Sequence, residues 1–77
     1  MEPHKLCDFH YKTAYEHGKK HGDDKNEIRP CFALSLAHWE YIEKLLKVHR
    51  VKSDVIKNIL PFYIDGFVNG FKAGSKK

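Results

Sequence analysis

The sequence predicts an all-α protein, a three-helix bundle running up, down and up. Three observations lead there. Apolar residues recur at helical spacing in three segments. No stretch alternates with period two for long enough to make a strand. All five glycines fall into two ladders at four-residue spacing, Gly18 and Gly22, then Gly66, Gly70 and Gly74. Each ladder sits in a matching stretch: residues 11–22, YKTAYEHGKKHG, align with residues 63–74, YIDGFVNGFKAG, 52 positions on. Residues four apart share one helix face. Ala14, Gly18 and Gly22 in the first stretch, and Gly66, Gly70 and Gly74 in the second, therefore form side-chain-poor ridges flanked by aromatic rings. Such ridges let two helix backbones approach closely.

The first helix is expected over roughly residues 4–21, with Pro3 tolerated at its start and Gly22 serving as a stop. Residues 23–29 are polar and read as a loop. Pro30 suits the first turn of a second helix that extends to about Val48. Leu34, Tyr41, Leu45 and Val48, with Trp39, Ile42 and Leu46 beside them, repeat there at helical spacing. Lys44, Lys47 and Arg50 crowd its C-terminal end, where the helix dipole favours cations. Ser53 and Asp54 form an N-cap and an acidic first turn for the third helix, which runs to about Ala73. Pro61 removes one backbone hydrogen bond and crowds the carbonyl of Lys57. A kink or a split into two helices is expected at that point.

The third helix is apolar around most of its girth. Asn58, Pro61, Asp65, Asn69 and Lys72 make one narrow polar stripe. A helix of this kind is buried on more than one side. The 77 residues form one domain, 1–77, and a chain this short buries only about 60% of the surface its unfolded form exposes. Two further helices have little to cover the third with, so a homodimer is expected through Tyr63, Phe67, Val68 and Phe71. Gly22 and Gly74 are explained as C-caps. Gly18, Gly66 and Gly70 remain as interior glycines, each costing about 1 kcal/mol relative to alanine, and close packing must offset them.

Composition excludes some classes. Apolar content of 42% and charged content of 31% are ordinary for a globular protein. The longest mostly apolar run, Cys31 to Trp39, is far short of the roughly 20 residues a membrane span needs. Nothing near the N-terminus resembles the apolar centre of a signal peptide. A cytoplasmic location is the expectation, with Cys7 and Cys31 reduced. The two cysteines are expected at opposite ends of a helical hairpin, Cys7 lying about 22 Å before the end of the first helix.

Three functional readings follow. The leading one is a small interaction or scaffold protein whose partner is a second copy of itself or another protein. The second is binding of nucleic acid or another polyanion. The net charge of +4 is concentrated at Lys44, Lys47, Arg50, Lys52 and Lys57, and such binding falls steeply with salt. A helix-turn-helix across residues 50–53 is a poor fit, because the helix after it opens too apolar to read base edges. The third is a metal site, zinc being the candidate cofactor. His17 and His21, at i and i+4, share one helix face, and Cys31 beyond the loop is a candidate third ligand. There is no Cys-x-x-Cys pair, no zincin motif, no Gly-rich phosphate loop and no recognisable nucleophile arrangement. No catalytic activity is assignable.

Overall fold

The computed structural model describes the backbone of residues 3–76 and side chains from residue 6 onward. It contains three helices, α1 (Pro3–Asp23), α2 (Cys31–Val48) and α3 (Ser53–Ser75), and no strand among the described residues. The bundle is all-α, as its periodicity requires. Most of the contact between helices joins α1 to α3, and α2 rests chiefly on α3.

The two glycine ladders account for that imbalance. α1 and α3 lie side by side and parallel, with backbone against backbone. A Cβ built on Gly18 would strike the carbonyl oxygen of Phe67, and one built on Gly70 would strike that of Tyr15. These two contacts are one contact made twice. Gly18 and Gly70 are equivalent in the 52-residue repeat, and so are Tyr15 and Phe67. Gly22 meets the Phe71 carbonyl and Gly74 that of Lys19, an equivalent pair again, while Gly66 meets that of Tyr11. Ala14, fully buried, occupies the place equivalent to Gly66. The helix pair therefore behaves as an internal dimer, its halves related by a local two-fold along the helix axes.

Several sequence expectations are corrected here. Gly22 and Gly74 are not C-caps. Both lie inside their helices, and no glycine has positive φ. α3 runs as one helix through Pro61, so the expected split does not occur. Pro61 faces solvent and Lys57 is exposed, which leaves the carbonyl that loses its partner on the watered side of the helix. The cap of α3 is Lys52, without a side-chain hydrogen bond, rather than Ser53. Tyr63 and Phe67, expected at a dimer interface, are fully buried within the single chain. Tyr63 packs on Trp39 of α2 with ring centroids 5.7 Å apart. Phe71 and Val68 are half-buried. The intimacy of α1 with α3, together with cover from α2, hides α3 more completely than its composition suggests.

α2 ends in a Schellman motif. The amide of Val51 bonds the Leu46 carbonyl and that of Arg50 bonds the Lys47 carbonyl, each at 3.0 Å. Val51 packs against the core that contains Leu46. The left-handed position this turn requires is held by Arg50, at φ 61°, where glycine is usual. Cys7 and Cys31 are both free, and the Cys7 thiol points at the Asn58 carbonyl, 3.7 Å away.

Two outcomes follow from these contacts. In a helix interior free of neighbours, Gly70→Ala would gain about 1 kcal/mol. Against the Tyr15 carbonyl it should instead lose about 1–3 kcal/mol, read as a fall in melting temperature on the order of 10 °C. Arg50→Gly should raise stability by up to about 1 kcal/mol, because glycine adopts the left-handed conformation without strain. Thermal denaturation followed by circular dichroism measures both.

Candidate functional site

Polar side chains gather where the end of α1, the loop after it and the middle of α2 meet. Residues 24–29 are shaped by local bonds. The Asp24 side chain accepts from the Asn26 amide at 2.9 Å, and the Asp24 carbonyl accepts from the Glu27 amide at 3.1 Å. This turn aims Glu27 back at α1. Its side chain is only 7% exposed and acts as a hub. Arg29 donates to it through Nε at 2.8 Å, through Nη2 at 3.0 Å and through its backbone amide at 3.1 Å. The Glu27 carboxyl is held down at about 2, first by the Arg29 side-chain bonds, then by the Arg29 amide, with a smaller contribution from His21.

The ionised carboxylate decides the tautomer of His21. Glu27 Oε2 accepts from His21 Nδ1–H at 3.2 Å. In the neutral ring this leaves a lone pair on Nε2, and His38 Nε2–H donates into it at 3.1 Å. His17, one turn before His21, brings its ring edge-on to His38 with centroids 5.2 Å apart. The His21 and His38 centroids are 5.1 Å apart, and both rings rest on Phe67. Burial, then the neighbouring His17, His21 and Arg29, pushes His38 below the ordinary histidine value. A pocket of about 350 Å³ opens beside the cluster, lined by His17, Arg29, Leu34, Ala37, His38 and Tyr41.

The structure sets His38 against both His17 and His21. Cys31 is half-buried. Burial raises its thiol, partly opposed by Lys72 of α3, and a protonated thiol is a poor ligand. Among the described residues, no group of three histidine, cysteine or acidic side chains is placed to hold a metal ion. His38 carried a faint sequence signal: it is one of six histidines and interrupts the most apolar run of the chain. His10, on the same rhythm as His17 and His21, is buried instead, with its Nδ1 unpartnered among the described residues.

The basic residues Lys44, Lys47, Arg50, Lys52 and Lys57 are all exposed at the junction of α2 and α3. Lys47 pairs with Glu43 at 3.6 Å, which dilutes the positive field there. No helix among the described residues is long and apolar enough to cross a membrane. No protein-family model, curated protein or solved structure matches this chain.

Burial lowers the pKa of His10, so the folded state binds its proton less readily than the unfolded chain, whose value is near 6.5. The stability that neutral His10 contributes is complete above about pH 6.5 and is lost as pH falls from there through the folded value. Melting temperature should drop between pH 7.5 and 5, and the drop should be shallower in His10→Gln.

Proposed function

We propose that this protein is a small helical interaction module that pairs with a second copy of itself, through α2 rather than α3. One observation carries the reading. Tyr41, Leu45 and Val48 lie at i, i+4 and i+7 on a single stripe of α2 and are 64%, 39% and 75% exposed. Ala37, one turn before Tyr41, is exposed as well. A second pair, Phe32 and Leu36, is exposed on the other edge of the same helix. The opposite side of α2 holds Trp39 and Leu46 in the core, and Leu34, two turns before Tyr41 on the stripe itself, is buried as well. Exposed apolar side chains scattered singly need no explanation, but a contiguous stripe of them on one helix marks a contact surface.

Self-pairing suits such a stripe. Two copies related by a two-fold axis lay the same residues on each other, so one apolar stripe is sufficient for both partners. The thin core of a chain this size also gains from association. The basic residues flanking the stripe, Lys44 and Lys47, sit at its rim, where charge stays solvated.

Sedimentation equilibrium tests the reading. The wild-type chain should be a dimer at high micromolar concentration. The double variant Tyr41→Glu, Val48→Glu should be a monomer with unchanged helical content, since neither residue is in the core. A wild-type chain that stays monomeric, or a variant that still dimerises, defeats the proposal.

A further inference from the structure

We propose that His17, His21 and His38 form a three-histidine site for a divalent cation of the zinc class, with Glu27 orienting His21. The Nε2 atoms of His21 and His38 are 3.1 Å apart. Two nitrogens bound to one tetrahedral zinc ion at 2.0–2.1 Å lie about 3.4 Å from each other, so a few tenths of an ångström of opening admits the ion. Rings on such an ion have centroids roughly 5 Å apart by the same geometry. The centroids of His17 and His21 are 5.2 and 5.1 Å from that of His38.

The surroundings are those of a ligand set rather than of a chance contact. Ligating histidines ordinarily donate their second ring nitrogen to a carboxylate, which fixes the tautomer. Glu27 accepts from His21 Nδ1 in this way, and Arg29 holds Glu27 in place with paired bonds to both its oxygens. The same pairing balances the Arg29 charge close to the cation position. His17 and His21 are one turn apart on α1, and α2 supplies His38 from across the interface. As they stand, no three histidine, cysteine or acidic side chains among the described residues are placed to hold a metal ion, so the site requires one member to move. His17 is the member that moves: its side chain is exposed, so rotating Nε2 or Nδ1 inward gives up only its edge-on contact with His38. His38 then carries its remaining proton on Nδ1. The pocket beside His17 and His38 has room for a water at the fourth position. Imidazole donors of this number suit zinc, cobalt, nickel and copper.

Cobalt(II) and zinc(II) titrations of the full chain, purified with chelator and dialysed, test the site. Cobalt should produce the intense visible bands of a four-coordinate ion, at one ion per chain, and zinc should displace it. Glu27→Gln should weaken zinc binding 10–100-fold, and His17→Ala and His38→Ala by at least as much. His49→Ala, exposed and remote, should change nothing. Because His17 is exposed, its variant keeps the fold, which metal-free melting curves check for every protein. The proposal fails if cobalt gives only the weak spectrum of the hexa-aqua ion. It also fails if folded His17→Ala binds zinc as tightly as wild type, or if His49→Ala weakens binding as much as His38→Ala does.

Discussion

Direct contact between the backbones of α1 and α3 is the constraint on which the rest of the molecule depends. Five glycines inside helices cost roughly 5 kcal/mol of helix propensity, comparable with the whole stability of a small domain. Only a contact that side chains would forbid can offset that cost. The reciprocal seats of Gly18 on Phe67 and of Gly70 on Tyr15 are such contacts. They bring carbonyl oxygens and glycine Cα–H groups within reach of each other, an interaction worth about 0.5–1 kcal/mol at each site. They also place the long flanking rings on either side of the seam, where their dispersion contacts are made.

This pairing determines what is left for α2. Because α1 and α3 are committed to each other along most of their length, α2 rests chiefly on α3 instead of wedging between them. Tyr63 and Phe67 are sealed under it, and its outer side keeps the stripe of Tyr41, Leu45 and Val48 in solvent. The same placement sets His38 above the end of the ridge. There it meets His17 and His21, which the α1 backbone presents beside Gly18 and Gly22. The histidine cluster and the apolar stripe are thus neighbouring consequences of one packing decision. Tyr41 belongs to the stripe and lines the pocket beside the cluster.

Legibility in the sequence follows the range of the interactions. The three helices, the loop between α1 and α2 (residues 24–30, one residue later than the sequence suggests) and the polar stripe of α3 were readable because each rests on periodicity or local propensity. Asn58, Pro61, Asp65, Asn69 and Lys72 are all exposed, as their spacing implies. The two glycine ladders were visible too, with their internal repeat. Their last members were misread as helix ends because a C-terminal glycine has a local explanation that comes first to hand. On α2, spacing alone did not say how far along one apolar stripe the cover extends: Leu34 is buried, while Tyr41, two turns on, stays exposed.

What the amino-acid order determined by itself was the number of helices, their approximate ends and the presence of two bare ridges, since these depend on contacts within a few residues. Tertiary structure alone decided which ridge meets which, that Phe67 is hidden inside one chain, and that His38 joins His17 and His21. Those outcomes join residues from 17 to more than 50 positions apart. The energies that select them come from contacts between distant segments and from the bonds of Glu27; the glycine ladders mark a ridge in the chain but not its partner.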